Sequence, residues 1–154
     1  MELIDVTAYV LHSVFAGLWT GSILFMTLGV LPLARAGSLN AGPLHTVAGR
    51  FKIISRTSVL LLLITGSHMA AARYTRETLT GTDAGYLVLS MLALWLFTAG
   101  AVEVAASKLT DGSGRDKVRE PARESRPFFI IGSILAILLL VNAGLLAAAN
   151  VGFL

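Results

Sequence analysis

The chain has 154 residues, of which 55% are hydrophobic and only 14% charged, and it contains no cysteine. Soluble domains average about 25% charged residues; with a mean hydropathy of +0.78, this composition argues against a water-soluble globule and for a membrane protein. The net charge of +3 is carried by clustered residues, so it calls for no nucleic-acid partner, and the absence of cysteine removes disulfides, thiolate metal sites and cysteine nucleophiles.

Four stretches carry no Asp, Glu, Lys or Arg: 6–34, 57–72, 84–102 and 127–154. A bilayer core needs about 20 apolar residues as helix. Three stretches meet that length, and the shorter one is flanked by Arg56 and Arg73, which can snorkel. The fold expected is all-α: an integral membrane four-helix bundle forming a single domain, with helices at about 6–31, 53–73, 84–106 and 127–150. The N-terminus starts Met1-Glu2-Leu3-Ile4-Asp5, acidic where a cleaved signal would be basic. Helix one is predicted to end at Leu31-Pro32, since proline cannot continue it. A turn-rich connector, 36–43, follows. Residues 44–56 lead into helix two as an amphipathic helix, with Val47, Phe51 and Ile54 at helical spacing. Asp111-Gly112-Ser113-Gly114 breaks the chain after helix three, and Pro127 suits the first turn of helix four.

Orientation follows from the basic residues. Loop 32–56 holds Arg35, Arg50, Lys52 and Arg56 without an acid, and loop 103–127 holds Lys108, Arg115, Lys117, Arg119, Arg123 and Arg126. The segment between helices two and three balances Arg73 and Arg76 with Glu77 and Asp83. Both basic loops are therefore expected in the cytoplasm and both termini outside, as a multi-pass protein of the cell membrane. The high pI of 9.7 is then the positive-inside bias, in contact with anionic lipid.

Polar groups inside a membrane are costly and form functional candidates. His12 lies seven positions after Asp5, about 10 Å deep at the helical rise, and His68 five positions before Arg73, about 8 Å deep. Met91 lies about 12 Å inside helix three, and Asn142 falls in the outer half of helix four. Four helices thus bring one polar or polarisable side chain each to a common outer layer. Imidazole and thioether favour copper, Cu(I) above all. Two imidazoles also serve as axial ligands of haem iron. The candidate ligands are His12, His68 and Met91, with Asn142 behind them; Asn142 is also a candidate hydrogen-bond neighbour of a histidine. His45 lies in a basic loop and reads as a surface residue. Glu103, at the inner end of helix three, is placed to pair with Arg56 or Lys108. Trp95 needs a partner for its N–H, such as Thr98 or a helix carbonyl. Gly17 and Gly21 form a G-x-x-x-G, a candidate seam for a homodimer or larger membrane complex. No phosphate loop, nucleophile elbow or carboxylate pair is present, so hydrolytic chemistry has no basis, and an enzyme is less expected than a transporter or metal-binding protein.

A histidine early in helix one followed by Leu18-Trp19-Thr20-Gly21 resembles the copper-resistance D (CopD) type of membrane domain. Arg50-Phe51, Ser55-Arg56 and Leu63-Ile64-Thr65-Gly66 resemble that family's second helix, and Thr82-Asp83-Ala84-Gly85-Tyr86-Leu87 the start of its third. The resemblance implies copper handling or uptake, with His12 as the first-helix metal-associated histidine. Members are often longer than this chain, and the second glycine beside the tryptophan is Ser22 here. More distantly the chain resembles the HemJ-like haem-binding membrane proteins, which also use an early histidine. Their helix-three lysine is missing from Leu87-Val88-Leu89-Ser90-Met91-Leu92, so porphyrinogen oxidation is not expected, while haem b binding, with His12 and His68 as axial ligands, stays the alternative expectation. A third expectation is an accessory or structural membrane subunit without cofactor.

Overall fold

The structure is a computed structural model that describes residues 3–150. It contains α1 (Leu3–Phe25), a π turn (Met26–Val30), α2 (Leu31–Ala36), α3 (Ala41–Arg73), α4 (Arg76–Gly81), α5 (Asp83–Ser113) and α6 (Arg119–Asn150), with no strand among the described residues. Three helical runs are long and apolar enough to cross a membrane: Leu3–Ala36, Asp83–Ser113 and Arg119–Ala149. Their outward faces carry large apolar side chains, among them Leu28, Leu92, Leu96, Phe97, Ile134 and Val141. Such a continuous apolar exterior is what a bilayer solvates and water does not. α3 is of similar length but carries Arg50, Lys52 and Arg56 in its first half.

The apolar stretches sit inside longer helices, so the connections at the basic end are short: residues 37–40 and 114–118. Helix one does not stop at Pro32. The N–H of Leu31 reaches back five residues to Met26 O, and this wider turn lets the chain absorb a proline that would otherwise clash with the preceding turn. Thr27, in the π turn, donates to Ile23 O at 2.8 Å and meets Ser133 Oγ on α6 at 2.8 Å. Pro127 is likewise interior to its helix, because α6 begins at Arg119. Its missing N–H costs one bond in a helix packed along its length on α5. Gly37 ends α2 with φ +77°, and Ser38 N–H closes on Leu33 O at 3.0 Å. The Arg119 side chain lies on that glycine and donates to Ala36 O at 3.2 Å, which fastens the start of α6 to the end of α2.

The long helices form a ring: α1 packs on α3 and α6, and α5 packs on α3 and α6. The apolar core fills the basic end of this ring. Trp19, Ile23, Met26, Leu44, Phe51, Val102, Leu109 and Phe129 are buried there, interleaved with Ala34, Ala48, Ala105, Ala106 and Ala122. Phe51 and Phe129 meet with ring centroids 5.6 Å apart. Gly132 brings α6 against Val102, where a Cβ would lie 2.8 Å from Cγ2. Small residues at such contacts allow close van der Waals approach, the main source of attraction between helices in lipid. Towards the other end buried apolar side chains thin out to Leu62 and Ala8, and Thr65 and Asn142 take up the buried positions.

Candidate functional site

α3 organises the polar interior. Lys52, Ser55, Ser58, Thr65 and His68 recur at three- and four-residue intervals, interrupted once, by Leu62. They therefore form one stripe along the helix. Its partners come from both flanking helices. Lys52 Nζ donates to Ser107 Oγ on α5 at 2.9 Å. Ser55 Oγ accepts from the buried Trp19 N–H on α1 at 2.8 Å. Thr65 and His68 meet His12 and Asp5 of α1. Ser58 is fully buried, and its hydroxyl has no partner among the described residues.

At the end of the stripe away from the basic connections the two imidazoles are held separately. His12 Nδ1 lies 2.9 Å from Thr65 Oγ1. The Thr65 hydroxyl donates its own hydrogen to Leu61 O at 2.6 Å. It is therefore an acceptor toward His12, which places the imidazole hydrogen on Nδ1 and leaves the lone pair on Nε2. Gly66 makes room for this ring: a Cβ there would lie 3.1 Å from His12 Cε1. One turn further out, His68 Nε2 donates to Asp5 Oδ1 at 3.1 Å. Both of these groups are about one-third exposed, at 37% and 35%. In the neutral His68, Nδ1 then carries the lone pair. Each imidazole thus has one nitrogen held by an orienting oxygen on the facing helix, the arrangement that fixes the ring of a metal-ligating histidine.

The structure places three of the four predicted residues in two seams rather than one contact. His12 and His68 lie in the α1–α3 seam. Asn142 lies in the α5–α6 seam, where its Nδ2 donates to Ser90 Oγ at 2.6 Å. Its neighbour is a serine and not a histidine, and its buried Oδ1 has no partner among the described residues. Met91, the residue after Ser90, is partly buried. Among the described residues no group of three or more His, Cys, Asp or Glu stands at metal-binding spacing. Trp95 differs from expectation: Thr98 gives its hydroxyl to Leu94 O, and the indole N–H is buried without a partner among the described residues. Gly17 and Gly21 face outward, with nothing among the described residues within 4 Å of where a Cβ would lie.

Thr65, Asp5 and Ser90 are the partners of the candidate residues that the sequence alone does not mark as such. For the first, the signal was the polar stripe on α3, whose spacing puts Thr65 on the same face as His68.

At the basic end, Glu103 on α5 takes a two-pronged ion pair from Arg56: Nη2 to Oε1 at 2.6 Å and Nε to Oε2 at 3.2 Å. Lys52 Nζ lies 3.8 Å from the same carboxylate. Lys108 pairs with Glu124 instead, at 3.7 Å. His45 is exposed yet tied: its Nδ1 lies 3.2 Å from Thr110 O and 3.3 Å from Ser113 Oγ, joining the start of α3 to the end of α5.

No protein-family model, curated protein or solved structure matches the chain.

Proposed function

We propose that the chain is a CopD-like, four-span protein of the cell membrane that takes up copper from the outer side, with His12 and His68 as imidazole ligands. The observation that carries this reading is the hydrogen-bond direction at His12. Thr65 orients the ring and leaves Nε2 as a lone-pair donor, and Asp5 does the same for His68 through the opposite nitrogen. A lone-pair nitrogen on each of two oriented imidazoles suits Cu(I), which also accepts a thioether. Met91 is the soft ligand available on α5, and Asn142 braces that helix through Ser90. Copper here is cargo, held by neutral donors in a half of the bundle where apolar packing is thin.

In this reading α3 is the fourth span, its polar stripe turned inward and its Arg50, Lys52 and Arg56 at the cytoplasmic headgroups. The basic ends at 32–56 and 103–127 face the cytoplasm and both termini face outward, following the positive-inside bias. The alternative is haem b on the same two histidines.

The deciding experiment is a reduced-minus-oxidised visible spectrum of the purified protein, with copper assayed on the same sample. A colourless protein that holds reduced copper and loses it in His12→Ala supports copper handling. A sharp Soret and alpha band at about one haem per chain replaces it with the redox reading. Neither signal after reconstitution leaves the histidines as packing residues of an accessory subunit.

A further inference from the structure

A groove of about 280 Å³ runs between α3 and α5, lined by Ser55, Arg56, Val59, Leu60, Leu63, Ala99 and Glu103. It is separate from the histidine site and independent of the copper reading; it rests on the proposed crossing of the bilayer by α3. Its two ends differ in chemistry. Val59, Leu60, Leu63 and Ala99 form an apolar trough, with Leu60 and Leu63 exposed on its outer edge. The other end carries Arg56, Glu103 and the hydroxyl of Ser55. Arg56 marks the boundary of the charge-free stretch 57–72, so the polar end lies at headgroup level and the trough points into the hydrocarbon.

The charge at that end is not balanced. Lys52 and Arg56 face the single acid Glu103, which leaves one positive charge. Glu103 holds only one edge of the guanidinium, through Nε and Nη2. The ion pair thereby locks the plane of Arg56 while its Nη1 edge has no partner among the described residues, and the side chain is 62% exposed. A guanidinium held in one plane is suited to bind phosphate in forked geometry.

We propose that this groove is a binding site for one anionic phospholipid of the leaflet at the basic end, its phosphate on Arg56 and an acyl chain along Val59, Leu60, Leu63 and Ala99. From Arg56 to Leu63 the trough extends about 10 Å at the helical rise, so it accepts the upper part of one chain and leaves the rest in the bilayer. The net positive charge selects an anionic over a zwitterionic headgroup.

The test is native mass spectrometry of the full chain from nanodiscs of mixed phosphatidylglycerol and phosphatidylcholine, with thermal unfolding in each lipid alone. Wild type is expected to retain one phosphatidylglycerol in preference to phosphatidylcholine, at least tenfold, and to unfold at higher temperature in phosphatidylglycerol. Arg56→Gln should abolish the preference. Ala99→Phe, which fills the trough and leaves the ion pair intact, should lose the retained lipid as well. Equal retention of both lipids by wild type, or unchanged retention in both variants, overturns the proposal. So does a wild-type dimer in phosphatidylcholine that Ala99→Phe converts to monomer, because the groove is then covered by a second copy of the chain.

Discussion

His12 and Thr65 face each other across the α1–α3 seam at 2.9 Å, and the direction of their hydrogen bond is set by a third atom, Leu61 O, which takes the threonine hydrogen. One backbone carbonyl therefore decides which nitrogen of His12 is basic. Thr65→Val keeps the shape of the side chain and removes the acceptor. If His12 binds Cu(I) through Nε2, that variant should keep the fold and lose affinity by about 10- to 100-fold, the usual cost of removing a ligand's orienting partner. Competition against a coloured Cu(I) chelator measures this. Unchanged affinity in Thr65→Val would show that the tautomer has no part in binding.

The second imidazole gives a separate comparison. His68→Ala should abolish Cu(I) binding, and Asp5→Asn should weaken it, since the amide is a poorer acceptor for the His68 N–H. His45→Ala should bind as wild type, because His45 lies at the opposite end of the bundle, against Thr110 and Ser113. Its expected effect is on stability alone, about 1 kcal/mol for the lost hydrogen bonds. Equal binding by His68→Ala and His45→Ala would remove His68 from the site.

Much of this arrangement was legible along the chain, and what was not has identifiable causes. The apolar stretches marked the helices because burial in lipid demands uninterrupted hydrophobic length. Their ends were not marked, because a helix continues into water wherever polar residues keep satisfying its backbone. Arg119–Arg126 does so before Pro127, whereas at Pro32 it is the wider π turn of Met26–Val30 that carries the helix on. The helical rise assigns each polar residue a depth, and Asn142 meets Ser90, the neighbour of Met91. Which helices adjoin was not legible. Depth gives a layer, whereas the α1–α3 and α5–α6 seams divide that layer into His12 with Thr65 and Asn142 with Ser90. The pairing of Glu103 with Arg56 rather than Lys108 is also a matter of adjacency, since Lys108 turns to α6.

The proposed orientation can be tested without interference, because the chain has no native cysteine. Single cysteines at Asn40, in the short basic connection, and at Thr80, in α4, lie at opposite ends of the bundle. In intact cells a membrane-impermeant maleimide should label Thr80→Cys and spare Asn40→Cys until the membrane is opened. The reverse pattern would place the basic connections outside and move the histidine level to the cytoplasmic half. Labelling of both in intact cells would mean that α3 does not cross.

Packing at the basic end predicts where the bundle is least tolerant. Trp19 is 1% exposed, and its N–H is held by Ser55, itself buried on α3. Trp19→Phe removes the bond and leaves a void beside it; interhelical hydrogen bonds in membranes average about 0.6 kcal/mol, and lost core volume adds to that. Trp19→Phe together with Ser55→Ala should recover the part due to the orphaned hydroxyl and none of the part due to the void. Gly132→Leu is the harsher change. Even a Cβ at Gly132 would press on Val102 Cγ2 at 2.8 Å, and the remaining side chain has to force α6 away from α5. Overpacking of this kind costs about 1–3 kcal/mol. Thermal unfolding in one detergent should therefore rank Gly132→Leu below Trp19→Phe, with the double variant above Trp19→Phe. Gly17→Leu, on an open face of α1, should match wild type. A loss at Gly17 as large as that at Gly132 would instead mean that the outward glycines are covered, and that α1 packs against another chain.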